Sequence, residues 1–334
     1  MSGSSILITA SPHLGARDST PKIMWHVVLS LVPVLVAACY FFGVSALLVT
    51  VGATAGALVT EAVFAKPATL LDGSAAITGI LLALTLPPGL PMWMAFVGGA
   101  FAIGFGKLIF GGLGQNIFNP ALLGRAFLQA AFPVALTTWP VPRGSFWQLK
   151  GDNLALPFMS PHHVDVLTGA TPLGAMKFDH AGTQLWKLVL GVTGGSLGET
   201  SALLILLCGA YLALRNYLNW RTPISIFLTV ALFAEVLHLL SPARYPDGLF
   251  MVFSGGLMLG AVFMATDLVT SPVTHLGCWI FGLGIGILVV VIRIWGGLAE
   301  GVMYAILLMN AFVPFINRAT QPRVFGHVRK EGAT

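Results

Sequence analysis

The sequence predicts an all-α polytopic membrane protein, and three observations support this fold class. Of the 334 residues, 56% are hydrophobic and 9% are charged, with a mean hydropathy of +0.88, whereas a soluble domain carries about 25% charged residues. Several apolar runs reach the roughly 20 residues that a helix needs to cross the hydrocarbon layer of a bilayer. These runs are continuous and not alternating, which disfavours a transmembrane β-barrel.

Hydropathy predicts about ten transmembrane helices, at 23–42, 44–65, 74–87, 91–110, 116–133, 185–214, 221–240, 248–266, 275–295 and 298–316. Two of these spans are unusual. The span 74–87 is short and ends at Pro87-Pro88, and the span 248–266 is followed by Asp267 and a Ser-Pro pair. Proline removes a backbone donor and ends helices, so both spans are predicted to be broken or re-entrant.

The distribution of positive charge predicts the topology. The net charge is +5, and Lys and Arg cluster near both termini and in the loop 215–221, as the positive-inside rule expects of cytoplasmic segments. We therefore expect cytoplasmic termini and no nucleic-acid partner, because the basic residues are not interleaved with aromatic ones. The predicted order is an N-terminal segment, a first five-helix repeat, a periplasmic loop, a second five-helix repeat and a C-terminal tail, at 1–22, 23–133, 134–184, 185–316 and 317–334.

A weak internal repeat supports the division into two halves. The stretch Lys107–Leu113 resembles Arg293–Leu298, and the acid-then-Asp-Gly order around Glu61 recurs around Glu235. Five spans in each half would make the second repeat enter the membrane from the opposite face, and inverted repeats place functional sites at their interface. Chance similarity among Gly- and Leu-rich helices is the alternative.

The predicted periplasmic loop contains the tetrapeptide Thr168-Gly169-Ala170-Thr171, followed by a proline. A loop of this length is usually functional or disordered, and a threonine presented between small residues can be covalently modified. The alternative is a glycine-containing turn with local hydroxyl hydrogen bonds. The tetrapeptide by itself is a weak signal.

A second polar cluster, Gly111–Phe127, lies in or beside an apolar span and contains Asn116, Asn119 and Arg125. Polar groups at membrane depth are costly and indicate function, and glycines allow a ligand to approach the backbone. Arg125 is predicted either to neutralise a phosphate or flavin anion, or to cap the carbonyls of a broken helix. The two asparagines are candidate cofactor-binding residues.

Acidic residues within or beside the spans are candidates for an ion path. Asp72 and Asp247 each precede a glycine at the start of a broken span, where a carboxylate caps helix N–H groups, binds a cation or relays protons. Glu61 and Glu235 are embedded in apolar sequence and are better candidates for the cation or proton path, and Asp267 joins them. The three cysteines lack metal-ligand spacing, so no metal site is predicted.

Taken together, these motifs resemble the NqrB/RnfD family of membrane subunits in ion-translocating oxidoreductases. The resemblance covers nearly the whole chain, and the order of the glycine-asparagine and threonine segments makes it specific. The matching stretches are Ser11–His13, Asp72–Ser74, Leu84–Pro88, Gly111–Leu122, Gly124–Phe127 and Thr168–Leu173.

The resemblance implies a urea-transporter-like fold in the bacterial inner membrane and FMN joined through its phosphate to Thr171 by a flavin transferase that uses FAD. It also implies a second, non-covalent flavin, riboflavin, and other membrane and peripheral Rnf-type subunits as partners. In this family the chain would carry electrons as one subunit of a redox-driven Na⁺ or H⁺ pump. A cofactor tethered by its phosphate keeps its ring free for redox chemistry. The alternative function is a passive channel or transporter for a small solute, with the same fold and no redox work.

Overall fold

A computed structural model describes residues 18–65, 67–142, 144–157, 169–179, 181–191, 193–199, 201–242 and 244–322. Regular structure in these residues is helical, without a β-strand. Thr168 and the terminal segments 1–17 and 323–334 lie outside the described residues.

Five of the helices are long and apolar enough to cross a membrane: α1 Thr20–Phe42, α2 Val44–Phe64, α10 Arg221–Leu240, α13 His275–Trp295 and α14 Val302–Thr320. Only 22% to 44% of the most apolar window of each helix is buried. Exposed apolar faces of this extent need lipid around them, since a soluble monomer rarely exposes large apolar patches. The predicted polytopic membrane fold is confirmed.

The other helices are shorter. Three of them are apolar and of intermediate length: α3 Ser74–Leu84, α4 with its π-helical continuation Met92–Leu108, and α9 Ala202–Leu214. The rest are α5 Pro120–Ala131, α6 Pro133–Thr137, α7 Pro172–Phe178, α8 Leu185–Leu190, α11 Gly248–Phe253 and α12 Leu257–Leu259, which continues as a π-helix over Gly260–Met264. The predicted number of ten spans therefore stays a prediction.

Of the two spans that were predicted to be broken, 248–266 is interrupted, and 74–87 is one short unbroken helix of 11 residues. The helix α3 ends at Leu84, and the span 248–266 breaks between α11 and α12. Gly255 in this break has φ +65°, and a β-carbon there would lie 2.9 Å from Glu300 Oε1. Left-handed backbone and close packing both favour glycine at this position.

The prediction of one continuous span at 185–214 is wrong. The chain leaves helix α8 at Leu190 and enters α9 only at Ala202, with a 3₁₀ turn at Leu197–Glu199 between them. Several glycines in this stretch disfavour helix. The segment between α8 and α9 is stabilised by a contact with the residues that follow α3, because the Leu197 N–H donates to the Leu86 carbonyl at 3.1 Å. Non-helical backbone at membrane depth is tolerated where protein satisfies it.

The connections between helices lie at two ends of the helix bundle, and hydrogen bonds show which connections lie at the same end. At one end, His26 of α1 contacts the Tyr211 hydroxyl at 2.8 Å, and Thr274 contacts Thr320 at the end of α14. We call this the terminal end. At the other end, the loop end, the Val44 N–H donates to the Phe146 carbonyl at 2.9 Å, and α7 contacts the connector between α13 and α14. The assignment of these ends to cytoplasm and periplasm stays a prediction.

The two predicted halves have the same order of packing partners. In the first half α2 packs against α3 and α4, and α4 packs against α5; in the second half α10 packs against α11 and α13, and α13 packs against α14. The halves meet where α1 contacts α9 and where α5 contacts α14. This order agrees with a repeat, while its inversion and the boundaries 23–133 and 185–316 stay predictions.

The contact between α2 and α4 depends on small residues. A β-carbon on Gly99 would lie 2.1 Å from the Ala53 carbonyl oxygen. We expect Gly99→Ala to destabilise the protein by about 1–3 kcal/mol, because overpacking forces the backbones apart, and to lower the thermal unfolding midpoint in detergent. The matched control is Gly104→Ala, whose methyl meets a single described side-chain atom, on Thr60, at 3.9 Å. Equal midpoints for the two variants would contradict this account.

Candidate functional site

Thr171 caps the N-terminus of α7. Its backbone is extended, Pro172 occupies the first helical position, and its Oγ1 accepts a hydrogen bond from the Gly174 N–H at 3.1 Å. Threonine before an N1 proline is a common helix start. The side chain is partly exposed, and the neighbouring Ala170 is exposed. The local hydrogen bonding of the alternative interpretation is thus present, and it leaves the hydroxyl at an accessible surface.

Tertiary contacts on both sides fix the position of Thr171. Before it, the Gly169 N–H donates to the Trp139 carbonyl at 3.0 Å. After it, the Lys177 ammonium at the end of α7 donates to the carbonyls of Gly296 and Leu298, the latter at 2.9 Å. Burial lowers the pKa of the Lys177 amine. The short helix is therefore held against the connector between α13 and α14.

A groove of about 650 Å³, including its open mouth, begins at Thr171. Its walls come from α5, α7, the loop after α6 and the start of α14. The lining side chains that carry polar or aromatic groups are Arg125, Gln129, Thr137, Trp139, Thr171, Glu199, Glu300 and Tyr304.

Arg125 provides the positive charge that lines this groove. It is 9% exposed, and its Nη2 lies 3.3 Å from Glu300 Oε2. Glu300 Oε1 in turn accepts a hydrogen bond from the Gly256 N–H, at the break between α11 and α12. The Nε of Arg125 is buried and has no hydrogen-bond partner among the described residues. The structure therefore brings Arg125 and Thr171 to one groove.

Two partly buried glutamates of this groove are functional candidates that the sequence did not lead us to predict. Glu199 lies inside the interrupted segment, where its carboxylate accepts a hydrogen bond from Ser196 Oγ at 2.8 Å. Glu300 closely precedes α14. A signal was available, because both acids fall in or beside predicted apolar spans, where acids indicate function.

The asparagines lie in a different pocket, at the terminal end. Asn119 caps α5 by accepting from the N–H groups of Ala121 and Leu122 at 3.0 and 3.3 Å, and its amide donates to the Met264 carbonyl. Asn116 donates to the Phe118 carbonyl at 3.3 Å. Both line a pocket of about 830 Å³ that also includes Ser74, Lys107 and Asp267. The predicted cofactor-binding segment is thus divided, with Arg125 at one site and the asparagines at another.

The candidate ion-path acids near the terminal end all have partners. Glu61 is fully buried, and its Oε1 lies 2.6 Å from the Lys107 ammonium, which also donates to Ser74 Oγ at 2.6 Å. Asp72 accepts from the Ser74 N–H at 2.8 Å, as expected of a capping carboxylate. Asp267 accepts from the Thr270 hydroxyl at 3.1 Å. Glu61 therefore belongs to a buried ion pair that the sequence did not lead us to predict.

The corresponding acids of the second half serve the start of α11. Asp247 is its N-cap and accepts from the Phe250 N–H at 3.2 Å, while Glu235 accepts from the Gly248 N–H at 3.0 Å. The capping interpretation of Asp247 agrees with this geometry. The structure therefore groups four of the candidate acids in pairs: Glu61 and Asp72 are linked through Lys107 and Ser74, and Glu235 and Asp247 meet at the start of α11. The described residues contain no group of three or more His, Cys, Asp or Glu that could hold a metal ion.

The fold and these sites define a polytopic membrane protein with ionisable groups buried at breaks in its helices. The chain belongs to the NQR2, RnfD, RnfE family, whose family model matches residues 7–326. The family resemblance that the motifs indicated is therefore confirmed.

Three relatives show which proteins this chain is similar to. It is 44% identical to the D subunit of the ion-translocating oxidoreductase complex of Stutzerimonas stutzeri, with 93% of each chain covered. It is 42% identical to the D subunit of the proton-translocating ferredoxin:NAD(+) oxidoreductase complex of Clostridium ljungdahlii, with 96% of each covered. It is 40% identical to the D subunit of the Na(+)-translocating ferredoxin:NAD(+) oxidoreductase complex of Acetobacterium woodii, with 98% of each covered.

The buried pair of Glu61 and Lys107 provides a test of this geometry. We expect Lys107→Met to destabilise the protein by about 3–5 kcal/mol, because it leaves a carboxylate buried without its counter-charge. The double variant Glu61→Gln/Lys107→Met should recover much of the loss, since neither charge remains. Thermal unfolding in detergent measures both. A double variant that is no more stable than Lys107→Met would show that the pair is not coupled.

Proposed function

We propose that this chain is a membrane component of a redox-driven ion pump of the ferredoxin:NAD oxidoreductase type, and that it carries electrons through FMN bound covalently to Thr171. The observation that carries the proposal is the groove shared by Thr171 and Arg125. Family membership and the names of the three relatives support the pump, and the other subunits of such a complex are the partners that it requires.

The residues of the groove fit a flavin joined through its phosphate. Thr171 offers a partly exposed hydroxyl, Arg125 offers a cation with an unpartnered Nε among the described residues, and Trp139 and Tyr304 offer aromatic surface. When bound, FMN supplies the electron-transfer chemistry, and the chain supplies its position and electrostatics. Formation of the phosphoester by a flavin transferase would join Thr171 Oγ1 to the FMN phosphorus of FAD and release AMP. Thr168 stays a candidate neighbour of this site.

The pocket that contains Asn116 and Asn119 is our candidate site for the non-covalent riboflavin. Its polar lining also includes Lys107 and Asp267. The pumped ion is Na⁺ or H⁺, with Glu61, Asp72, Glu235, Asp247 and Asp267 as candidates for its path. The relatives that name a proton and a sodium ion are 42% and 40% identical to this chain, so overall similarity does not choose between the ions.

Replacement of Thr171 tests the attachment. Intact wild-type chain from a host with the flavin transferase should carry the mass of one FMN less one water, and its denatured gel band should fluoresce. We expect Thr171→Ala to lose both signals, because the phosphoester needs the hydroxyl oxygen. The matched control is Thr137→Ala, since Thr137 is a second hydroxyl in the same groove. An unmodified wild-type chain, or fluorescence that persists in Thr171→Ala, would overturn the assignment.

The charges around the groove predict opposite shifts of the flavin midpoint potential. Reduction adds negative charge, which a nearby cation stabilises and a nearby carboxylate opposes. We expect Arg125→Gln to lower the potential by tens of millivolts and Glu300→Gln to raise it, where a tenfold change in a one-electron equilibrium is about 59 mV. Spectroelectrochemical titration of the purified variants measures both shifts, and shifts of the same sign would contradict the proposed flavin position.

The alternative of a passive channel is tested by flux. Purified flavin-free chain in liposomes that conducts a small solute such as urea would favour the channel. Absence of flux, together with a flavin-loaded chain that takes up electrons, would favour the electron carrier.

A further inference from the structure

A second pocket lies on the other side of α7, at the loop end. It has a volume of about 930 Å³ including its mouth, and it is formed by α7, the loop after α10, α11 and the end of α13. Leu173 lines both this pocket and the groove of Thr171. The side chains that matter for its chemistry are Lys177, Arg244, Tyr245, Arg293 and Trp295.

Among the described residues, the lining of this pocket carries three cations and no carboxylate. Lys177 and Arg293 donate to backbone carbonyls, which are neutral, so these contacts leave the positive charge of both side chains in place. Glu300 and Glu199 lie close enough to Arg293 to interact with it, but they line the groove on the other side of α7. The pocket is therefore electropositive.

Arg293 has more donors than the fold uses. It is 3% exposed, and its two terminal nitrogens donate to the carbonyls of Met251 and Ser254, at the end of α11. This arrangement explains the buried arginine as a cap of a broken helix. It leaves Nε buried without a hydrogen-bond partner among the described residues, and a buried unsatisfied donor is costly. Arg293 lines the pocket, and its positive charge attracts an anion bound there.

The pocket opens at the boundary of the apolar surface. The helix α10 ends at Leu240 and α13 ends at Trp295, whose side chains are 76% and 53% exposed. The Arg244 guanidinium lies 5.5 Å from the Tyr245 ring centroid, and that ring lies 6.3 Å from Trp295. Tyrosine and tryptophan mark the interface between membrane and water. An exposed arginine among them lies at headgroup level.

We propose that this pocket binds the phosphate-containing headgroup of an anionic phospholipid. Lys177, Arg244 and Arg293 recognise the oxyanion by their charge, and the exposed apolar residues nearby accommodate the acyl chains. Inorganic phosphate carries the same oxyanion as the lipid headgroup but has no acyl chains. An experiment can therefore distinguish binding of a phospholipid from binding of free phosphate. The assignment does not depend on the flavin at Thr171.

Native mass spectrometry of the full-length chain, alone or in the complex with which it purifies, tests the proposal. The chain is titrated in detergent with anionic phosphatidylglycerol or zwitterionic phosphatidylcholine. We expect the chain to bind phosphatidylglycerol in preference to phosphatidylcholine. The Arg244→Gln variant should bind phosphatidylglycerol with about five-fold lower affinity, because one basic residue near a membrane surface contributes about 1 kcal/mol to lipid binding. The matched control is Lys187→Gln, which removes a cation stacked on Trp186 outside the pocket.

The expected control result is unchanged binding in Lys187→Gln. Equal binding of the two lipids, or an equal loss in Lys187→Gln and Arg244→Gln, would overturn the proposal. A third arm adds inorganic phosphate to the lipid-free chain and to the lipid complex. If phosphate binds the lipid-free chain and displaces phosphatidylglycerol, the site takes a free anion and the lipid assignment is wrong. Persistent lipid binding in phosphate supports it.

Discussion

The structure depends on satisfying backbone groups where helices break inside an apolar environment. A lipid bilayer offers no water to an exposed N–H or carbonyl, so each break requires a partner from elsewhere in the chain. The Leu197 N–H donates to the Leu86 carbonyl, and Arg293 donates to carbonyls at the end of α11. Asn119 joins the start of α5 to the Met264 carbonyl. The contacts of Leu197 and Asn119 connect the two predicted halves, and all three contacts stabilise the interruptions.

The same helix breaks also position the charged side chains of the candidate functional site. Glu300 joins a broken helix to Arg125 on α5, and Lys177 joins α7 to the connector that precedes Glu300. Thr171 is thereby held at one end of a groove whose charges lie in its wall. Because these charges are largely buried, they are screened little by water and salt. A change of charge in the groove would therefore act strongly on the helix breaks that these side chains support.

Prediction from sequence was most successful where a property is local. Apolar runs predicted the five long helices, the proline after α3 predicted its early end, and Asp247 was correctly interpreted as a possible cap. It was least successful at 185–214, where the glycines were outweighed by the surrounding apolar residues. Glu199 lies in this segment and was not recognised as a functional candidate, and the ion pair of Glu61 with Lys107 was missed because its partners are 46 residues apart in the chain.

The sequence by itself determined that the chain is a multi-pass membrane protein, approximately where its five long apolar helices lie, and to which family its motifs belong. These properties follow from composition and from short motifs, which neighbouring residues carry. Only the tertiary structure decided that Arg125 shares a groove with Thr171 while Asn116 and Asn119 lie at the other end. The physical reason is that a helix advances along its axis, so Asn119 at the N-cap of α5 and Arg125, six residues further, lie about 9 Å apart along the helix, while residues distant in sequence are brought together by packing.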